Sequence, residues 1–179
     1  MAPADRRALI LQAAAAMFRD HGYAGASVDA IAAASGISGP GIYRYFSGKA
    51  ELLLALLESA VADTVAAIDV VPDRPAQTSD ALADILAERA LSEGAIIALL
   101  HGTAGTMEPE ERLRLDQLRR DAVGRLADAL HTLRPDLAAA EAEARIIAAL
   151  ALVGNIERFL ATGVPAQSFQ TILRAILRV

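Results

Sequence analysis

Residues 27–49, SVDAIAAASGISGPGIYRYFSGK, constrain the fold of this chain more than any other segment. Ser27 is a preferred N-cap residue in front of an apolar run of helical period, and Gly36 supplies a left-handed residue that ends the run. Ser38 then caps a second short run. Two short helices joined by a tight glycine-containing turn are typical of a helix-turn-helix, whose second helix lies in the major groove of DNA.

The spacing within that second helix predicts one outward and one inward face. The outward stripe consists of Gly39, Pro40, Tyr43 and Arg44. Ile42 points away from this stripe, toward a core. Because Gly39 and Pro40 carry no long side chain, the outward face can approach the floor of a groove closely.

From Ile10 to about Leu53 the sequence resembles the TetR family of transcriptional regulators. The residues that carry the resemblance, in order and spacing, are Ile10, Leu11, Ala13, Ala14, Phe18, Gly22, Tyr23, Ser27, Val28, Ile31, Ala32, Gly36, Ile37, Ser38, Ile42, Tyr43, Arg44, Tyr45, Phe46 and Lys49. The resemblance implies an N-terminal three-helix helix-turn-helix domain at residues 1–50. It also implies a C-terminal helical domain for ligand binding and dimerisation at residues 51–179.

Eight residues are implied to face DNA. Ser27, Tyr43, Tyr45 and Lys49 correspond to positions that touch phosphates in the family, whereas Gly39, Pro40 and Arg44 correspond to positions that face base edges, and Ser38 caps their helix. The sequence differs from the family pattern in two respects. Asp29 occupies a helix-start position that is often neutral or basic, and Gly39 and Gly41 replace side chains that often read bases.

The charges are divided unevenly along the chain. Residues 1–50 hold five basic and three acidic residues, a net charge of +2, whereas the remaining 12 basic and 19 acidic residues give −7. A basic head on an acidic body suits a protein that contacts DNA with one end. No uncharged run reaches the roughly 18 residues of a transmembrane helix. With no apolar signal-peptide core at the N-terminus, we expect a cytoplasmic protein without a membrane partner.

Apolar periodicity and Gly and Pro punctuation predict an all-α, two-domain fold of nine helices. The fourth predicted helix, capped by Ser47 and ended by Pro72, connects the two domains. The sixth is short and covers residues 95–102. The eighth runs without a break over residues 136–161 and is apolar nearly all round over residues 146–156, which predicts burial on every side.

The inventory of reactive residues argues against an enzyme. The three histidines stand far apart at positions 21, 101 and 131, and the chain has no cysteine. The H-E-x-x-H, G-x-S-x-G and P-loop motifs are absent from the sequence. We therefore expect no catalytic residue, no metal site and no cofactor.

Four polar residues within the apolar stretches of the second domain are candidates for an effector site: His101, Thr103, Arg119 and Asn155. The family resemblance implies a pocket among the fourth to eighth helices. Each of these residues can instead be a hydrogen-bonded core residue. Since the chain lacks tryptophan and is rich in Ile, Leu and Ala, the pocket should favour an aliphatic or neutral compound over a planar cation.

A second copy of the chain is an expected partner, because one short helix with one arginine reads too few base pairs to be specific. The last two predicted helices carry more apolar positions than one core face can use. The predicted interface residues are Ala148, Ala151, Gly154, Phe169, Ile172, Leu173 and Ile176. Alternatively, these residues fill the core of the single chain.

Three functions follow from this reading. The first is a homodimeric repressor that a small, largely apolar ligand releases from a pseudo-palindromic operator. The second is a regulator of the same fold that activates transcription or uses its ligand as a corepressor. The third is a ligand-binding protein with no DNA function.

Overall fold

The computed structural model describes residues 3–69, 80–92 and 107–178, and every regular element in these ranges is a helix. The nine described helices are α1 (Pro3–Gly25), α2 (Val28–Ala34), α3 (Gly39–Ile42), α4 (Lys49–Asp69), α5 (residues 80–92), α6 (Pro109–Leu133), α7 (Ala139–Val153), α8 (Ile156–Leu160) and α9 (Ala166–Arg178). The all-α prediction is confirmed. The helix predicted at residues 95–102 lies outside the described residues. None of the described helices is long and apolar enough to cross a membrane.

The sequence predicts that the first helix runs to about His21, with Gly22 as its left-handed stop, and that the second ends at Gly36. Gly22 interrupts α1 with φ 66° and ψ 173°, a conformation that only glycine adopts readily, and a short helical turn follows it. The Oγ of Ser27, the N-cap of α2, accepts a hydrogen bond of 3.1 Å from the N–H of Ala30. Gly36, just beyond α2, has φ 70°. The predicted N-cap and both positive-φ glycines are therefore confirmed.

Helices α1 to α3 and the first turns of α4 share one core. The large side chains that are fully buried there include Ile10, Phe18, Ile31, Ile42, Leu52 and Leu53. Burying one such side chain contributes roughly 1.5–3 kcal/mol. Above this core the guanidinium of Arg7 lies 5.0 Å from the ring centroid of Phe46, within cation–π range.

The head, residues 3–48, is joined to the body by two helices. Helix α4 packs on both α1 and α6. Leu115 of α6 and Met107 just before it are buried in the same cluster as the head residues. A displacement of α4 or α6 would therefore alter the packing of the head.

The body has a second core, built from α5, α6, α7, α8 and α9. Helix α7 lies between α6 and α9 and packs on both. Two arginines from neighbouring elements hold the end of α9. Arg145 Nη1 donates to the carbonyl of Ile176 at 2.9 Å, and Arg134 Nη1 donates to that of Arg178 at 2.7 Å. Both carbonyls belong to the last turn, which has no partners within its own helix.

Three polar residues of α9, Gln170, Arg174 and Arg178, bind acidic residues of α5. Asp84 accepts hydrogen bonds from Arg174 at 2.7 Å and from Gln170 at 3.2 Å. Arg178 pairs with Asp80, one turn earlier on α5. These contacts fix the rotation of α9, so that its apolar side faces the body core.

The unbroken helix predicted at residues 136–161 is wrong. Helix α7 ends at Gly154, its C-cap, and Asn155 is the N-cap of α8. Burial on every side is also wrong, because Ile147 is 51% exposed. The side of α7 that does not enter the core carries several alanines, such as Ala148 and Ala151, which are exposed. An alanine exposes too little apolar surface to require burial, so an apolar sequence here does not mean a buried one.

Candidate DNA-binding head and effector cavity

The turn that follows α3 presents two long side chains on the surface of the head. Tyr43 is 55% exposed and Arg44 is exposed beside it, whereas Ile42 is fully buried. After α3 the chain continues in turns, held by hydrogen bonds of 2.9 and 3.0 Å from the N–H groups of Tyr45 and Phe46 to the carbonyl of Ile42. The predicted division into an inward Ile42 and an outward stripe agrees with this geometry.

Both glycines of α3 lie close to a neighbouring side chain. A Cβ atom on Gly39 would lie 2.6 Å from Asp29 Oδ1, and one on Gly41 would lie 3.0 Å from Ser38 Oγ. Ser38 is the N-cap of α3 by position, but its side chain makes no capping hydrogen bond. Its hydroxyl instead occupies the space above Gly41. The Asp29 side chain of α2 and the N-cap side chain of α3 thus occupy the space next to the two glycines.

Lys49 holds the head together internally. Its Nζ donates a hydrogen bond of 3.1 Å to the carbonyl of Ala26 and lies 4.5 Å from the ring centroid of Tyr23. Burial, aided by the negative charge of Glu111, raises the pKa of Tyr23. The family resemblance implies a phosphate contact for Lys49, whereas this internal role was not predicted, because Ala26 and Tyr23 lie more than 20 residues away.

The start of α4 is fixed by Glu51, whose carboxylate accepts a hydrogen bond from the backbone N–H of Ser47. Hydrogen bonds with Ser47 lower the pKa of Glu51. A carboxylate in the first turn of a helix also interacts favourably with the helix dipole. The predicted beginning of this helix near Ser47 agrees with the observed start at Lys49.

A cavity of about 280 Å³ lies among α4, α5, α6 and α7. Its described lining is apolar apart from Thr64, Arg89 and Arg119. The lining residues are Leu57, Ala60, Val61, Thr64, Leu86, Arg89, Leu118, Arg119, Ala122, Val123, Leu126, Ile147, Leu150, Ala151 and Val153. An apolar cavity with a few polar groups is the usual form of a small-molecule site.

The predicted effector residues divide into three groups. Arg119 lines the cavity and is half-buried. Asn155 does not line it, since its side chain is exposed and its Nδ2 donates to the carbonyl of Ala151 at 2.8 Å. The break at residue 154 turns the side chain of Asn155 back onto α7, so that its effector role stays a prediction without support from the cavity. His101 and Thr103 lie outside the described residues.

Sequence reasoning missed two polar residues of the cavity lining. Thr64 stands on the apolar face of α4, three residues after Val61, and is 7% exposed. Arg89 follows Leu86 by three residues on α5 and is half-buried. In each case the available signal was a polar side chain at helical spacing from inward apolar residues.

The residues predicted to form the dimer interface fall into an exposed and a buried group. Ala148, Ala151 and Ile172 are exposed, and Ile176 is half-buried. Gly154, Phe169 and Leu173 are buried, the last two completely and within the body core of the single chain. Residues 169, 173 and 177 lie on the face of α9 that packs into the body, which agrees with the alternative that Phe169 and Leu173 fill the core of the single chain.

Comparison with known proteins places the head in a family. The sequence profile of the tetR family of bacterial regulatory proteins matches residues 10–56. The transcriptional activator FasR of Mycolicibacterium smegmatis is 42% identical over 64 residues, which are 36% of this chain and 29% of FasR. The transcriptional repressor SCO4008 of Streptomyces coelicolor is 39% identical over 71 residues, 40% of this chain and 37% of SCO4008. The matched segments span about a third of each relative.

The fold of the whole described chain is also found among solved structures. The crystal structure of AibR in complex with isovaleryl coenzyme A and operator DNA superposes with a TM-score of 0.67 at 20% identity, covering 96% of this chain and 97% of AibR. At this identity the similarity shows the fold alone. It confirms the predicted two-domain helical architecture. Residues 10–56, which form most of the head and the start of α4, therefore match the tetR family of bacterial regulatory proteins, in agreement with the family predicted from the sequence.

Proposed function

We propose that this protein is a homodimeric transcriptional repressor that binds a pseudo-palindromic operator and is released by a small, largely apolar effector. The outward face around α3 carries this proposal. Tyr43 and Arg44 are exposed there, next to Gly39 and Pro40, while Ile42 anchors the segment in the head core. Operator DNA as the partner implies that the protein acts in the cytoplasm.

In this proposal the base-reading side chain is Arg44. Arginine recognises guanine by two hydrogen bonds to O6 and N7, worth about 1–3 kcal/mol of discrimination. Ser27, Ser38, Tyr43, Tyr45 and Lys49 are proposed to contact phosphates or to support those contacts. Lys49 can do so while it bonds Ala26, since an ammonium group has three donors.

Two copies of the head are required for a specific site. Two-fold dimers place their recognition helices about one turn of DNA apart, or a multiple of one turn, so that the operator becomes pseudo-palindromic. We assign the dimer surface to the exposed apolar residues of α7 and α9, namely Ala148, Ala151, Ile172 and the half-buried Ile176. Exposed apolar residues grouped on adjacent elements are typical of protein interfaces.

The cavity supports the proposed release mechanism. Leu57, Val61 and Thr64 of α4 line it, and the first turns of the same helix pack in the head core. A ligand that displaces α4 can therefore change the separation of the two heads without touching them. A 100-fold loss of operator affinity requires about 2.7 kcal/mol of preference for the released geometry.

A transcriptional activator is the second candidate, and the similarity to FasR favours it. The head matches this activator and the repressor SCO4008 at similar identities. The head therefore does not determine the sign of regulation. In vitro transcription from a promoter that carries the selected site distinguishes the two, because a repressor lowers transcript yield and an activator raises it. A ligand that strengthens operator binding would indicate a corepressor.

Selection of bound fragments from random duplex DNA tests the DNA-binding proposal. The wild type should select a two-fold symmetric site, and Arg44→Ala should lose the base preference at one position in each half-site. Arg19→Ala is the matched control, because Arg19 is an exposed arginine of α1 at 53% side-chain exposure. An unchanged site preference in Arg44→Ala would show that Arg44 does not read bases. Failure to retain any DNA would favour the non-DNA function.

A further inference from the structure

We propose that the effector is an amphiphilic anion, with a short aliphatic body in the cavity and a carboxylate or phosphate head bound by Arg119. This inference rests on the cavity proposed above as the effector site. Twelve of its fifteen described lining residues are apolar, and two of the other three are arginines. The described lining contains no aspartate or glutamate. Its charge is therefore positive.

The geometry of Arg119 leaves it able to bind a further anion. Its Nη1 donates to Asp116 Oδ1 at 3.0 Å, and the Asp116 side chain is 45% exposed. Asp116 does not belong to the cavity lining. A guanidinium has five N–H donors, so one bond to Asp116 does not exhaust its capacity. Arginine also binds carboxylates and phosphates through paired hydrogen bonds.

The other polar groups of the lining leave Arg119 as the residue that binds the charged group of the ligand. The hydroxyl of Thr64 already donates its proton to the carbonyl of Ala60 at 2.7 Å, so it cannot donate to an anion. Arg89 takes part in another interaction within the chain and contributes a second positive charge to the lining. Arg119 is therefore the donor to which we assign the anion.

The same arrangement selects against other ligand classes. A cation would meet two positive charges within apolar walls, where charges are poorly screened. A neutral aliphatic compound would gain the apolar contacts but not the charge-assisted hydrogen bonds, which are about twice as strong as neutral ones. These contacts predict that, among compounds with the same aliphatic chain, an anion binds most tightly, a neutral compound less tightly and a cation most weakly.

Calorimetric titration with four probes of equal chain length tests this order: octanoate, octanoyl coenzyme A, octanol and octylamine. At least one of the two anions should bind at least tenfold more tightly than octanol, and octylamine should bind most weakly. Tighter binding of octanoate indicates a carboxylate site, whereas tighter binding of octanoyl coenzyme A indicates a site for a phosphate-bearing carrier. Equal binding of octanol and both anions, or no binding of any probe, would overturn the inference.

Substitution of Arg119 tests whether this residue binds the charged group of the ligand. Arg119→Leu should weaken binding of the tighter anion at least tenfold and leave octanol binding unchanged, and Arg119→Lys should restore part of the loss. The matched control is Arg120→Leu, because Arg120 is an exposed neighbour on α6 outside this cavity. Circular dichroism checks that each variant is folded. Anion binding that survives Arg119→Leu would overturn the assignment.

Operator release is measured separately, so that the two proposals can fail independently. Anion binding that depends on Arg119 but does not release DNA would support this inference and contradict the proposed induction. If octanol released the operator at the same concentration as the anions, the result would support the proposed induction and contradict the need for an anionic group in the ligand.

Discussion

The carboxylate of Asp29 lies against Gly39, so that a Cβ atom on Gly39 would stand 2.6 Å from Asp29 Oδ1. Asp29 is exposed in the first turn of α2, where a negative charge is favoured by the helix dipole, and Gly39 is the first residue of α3. The carboxylate thus fills the space of a side chain at position 39. The two departures from the family pattern at Asp29 and Gly39 therefore belong to one contact.

Gly39→Ala should weaken operator binding with little loss of stability. The atom in the way is the end of an exposed side chain that can rotate, so the backbone need not move. The displaced carboxylate and the new methyl group would then intrude on the proposed DNA face. Urea denaturation and fluorescence anisotropy with labelled operator measure the two effects.

The double variant Asp29→Ala, Gly39→Ala is the control for this prediction. It removes the displaced charge and should recover much of the lost affinity. Unchanged operator affinity in Gly39→Ala would show that this contact lies away from the DNA interface.

Lys49→Ala should lower the free energy of unfolding by about 1–2 kcal/mol, from the loss of one hydrogen bond and one cation–π contact. Both contacts, to the carbonyl of Ala26 and the ring of Tyr23, are internal to the head. Chemical denaturation gives this value. Arg19→Ala, at a surface ion pair of 3.9 Å with Asp20, should change it by less than about 0.5 kcal/mol. Equal losses in both variants would contradict the internal role of Lys49.

Glu51 should make stability depend on acid pH. Because hydrogen bonds with Ser47 lower its pKa in the folded state, its contribution is complete above the unfolded pKa of about 4.3 and disappears as pH falls through the folded pKa. Because the amide oxygen of glutamine can still accept the hydrogen bond from Ser47, Glu51→Gln removes only the charge and should destabilise the protein at pH 7 by about 0.3–1 kcal/mol.

Denaturation curves at several pH values check this prediction. The difference between wild type and Glu51→Gln should shrink as the medium becomes more acidic than about pH 4. Glu58→Gln, at an exposed position of the same helix, serves as the control. A difference that stays constant with pH would mean that the Glu51 charge does not stabilise α4.

Ile172→Glu should convert the proposed dimer into a monomer that no longer binds operator. Ile172 is 40% exposed in the single chain, so a charge is tolerated there unless a partner covers it. Burying an unpaired charge in an interface costs several kcal/mol. Light scattering measures the mass, and anisotropy measures operator binding.

Two control substitutions sharpen the dimer test. Leu113→Glu, at a 68% exposed position of α6, should remain dimeric. Phe169→Glu should unfold the chain, because Phe169 is fully buried within it. An Ile172→Glu protein that stays dimeric on DNA would place the interface elsewhere.

Local features of this protein could be predicted from its sequence. Ser27, Gly22 and Gly36 act on backbone groups within four residues of themselves, so their caps and turns depend little on the remainder of the chain. The inward position of Ile42 follows in the same way from helical spacing. The resemblance to the family then supplied the arrangement of the head and body.

Only the tertiary structure decided which surfaces meet. Arg174 bonds Asp84 across 90 residues of sequence, and this contact fixes which apolar residues of α9 enter the core. Sequence alone could not decide that the face of α9 with Phe169 enters the core while Ile172 stays exposed, because this depends on the packing of α9 against α7. The cavity likewise draws its lining from four helices. Helical period determines which residues share a face of one helix, whereas the mutual packing of helices determines what each face touches.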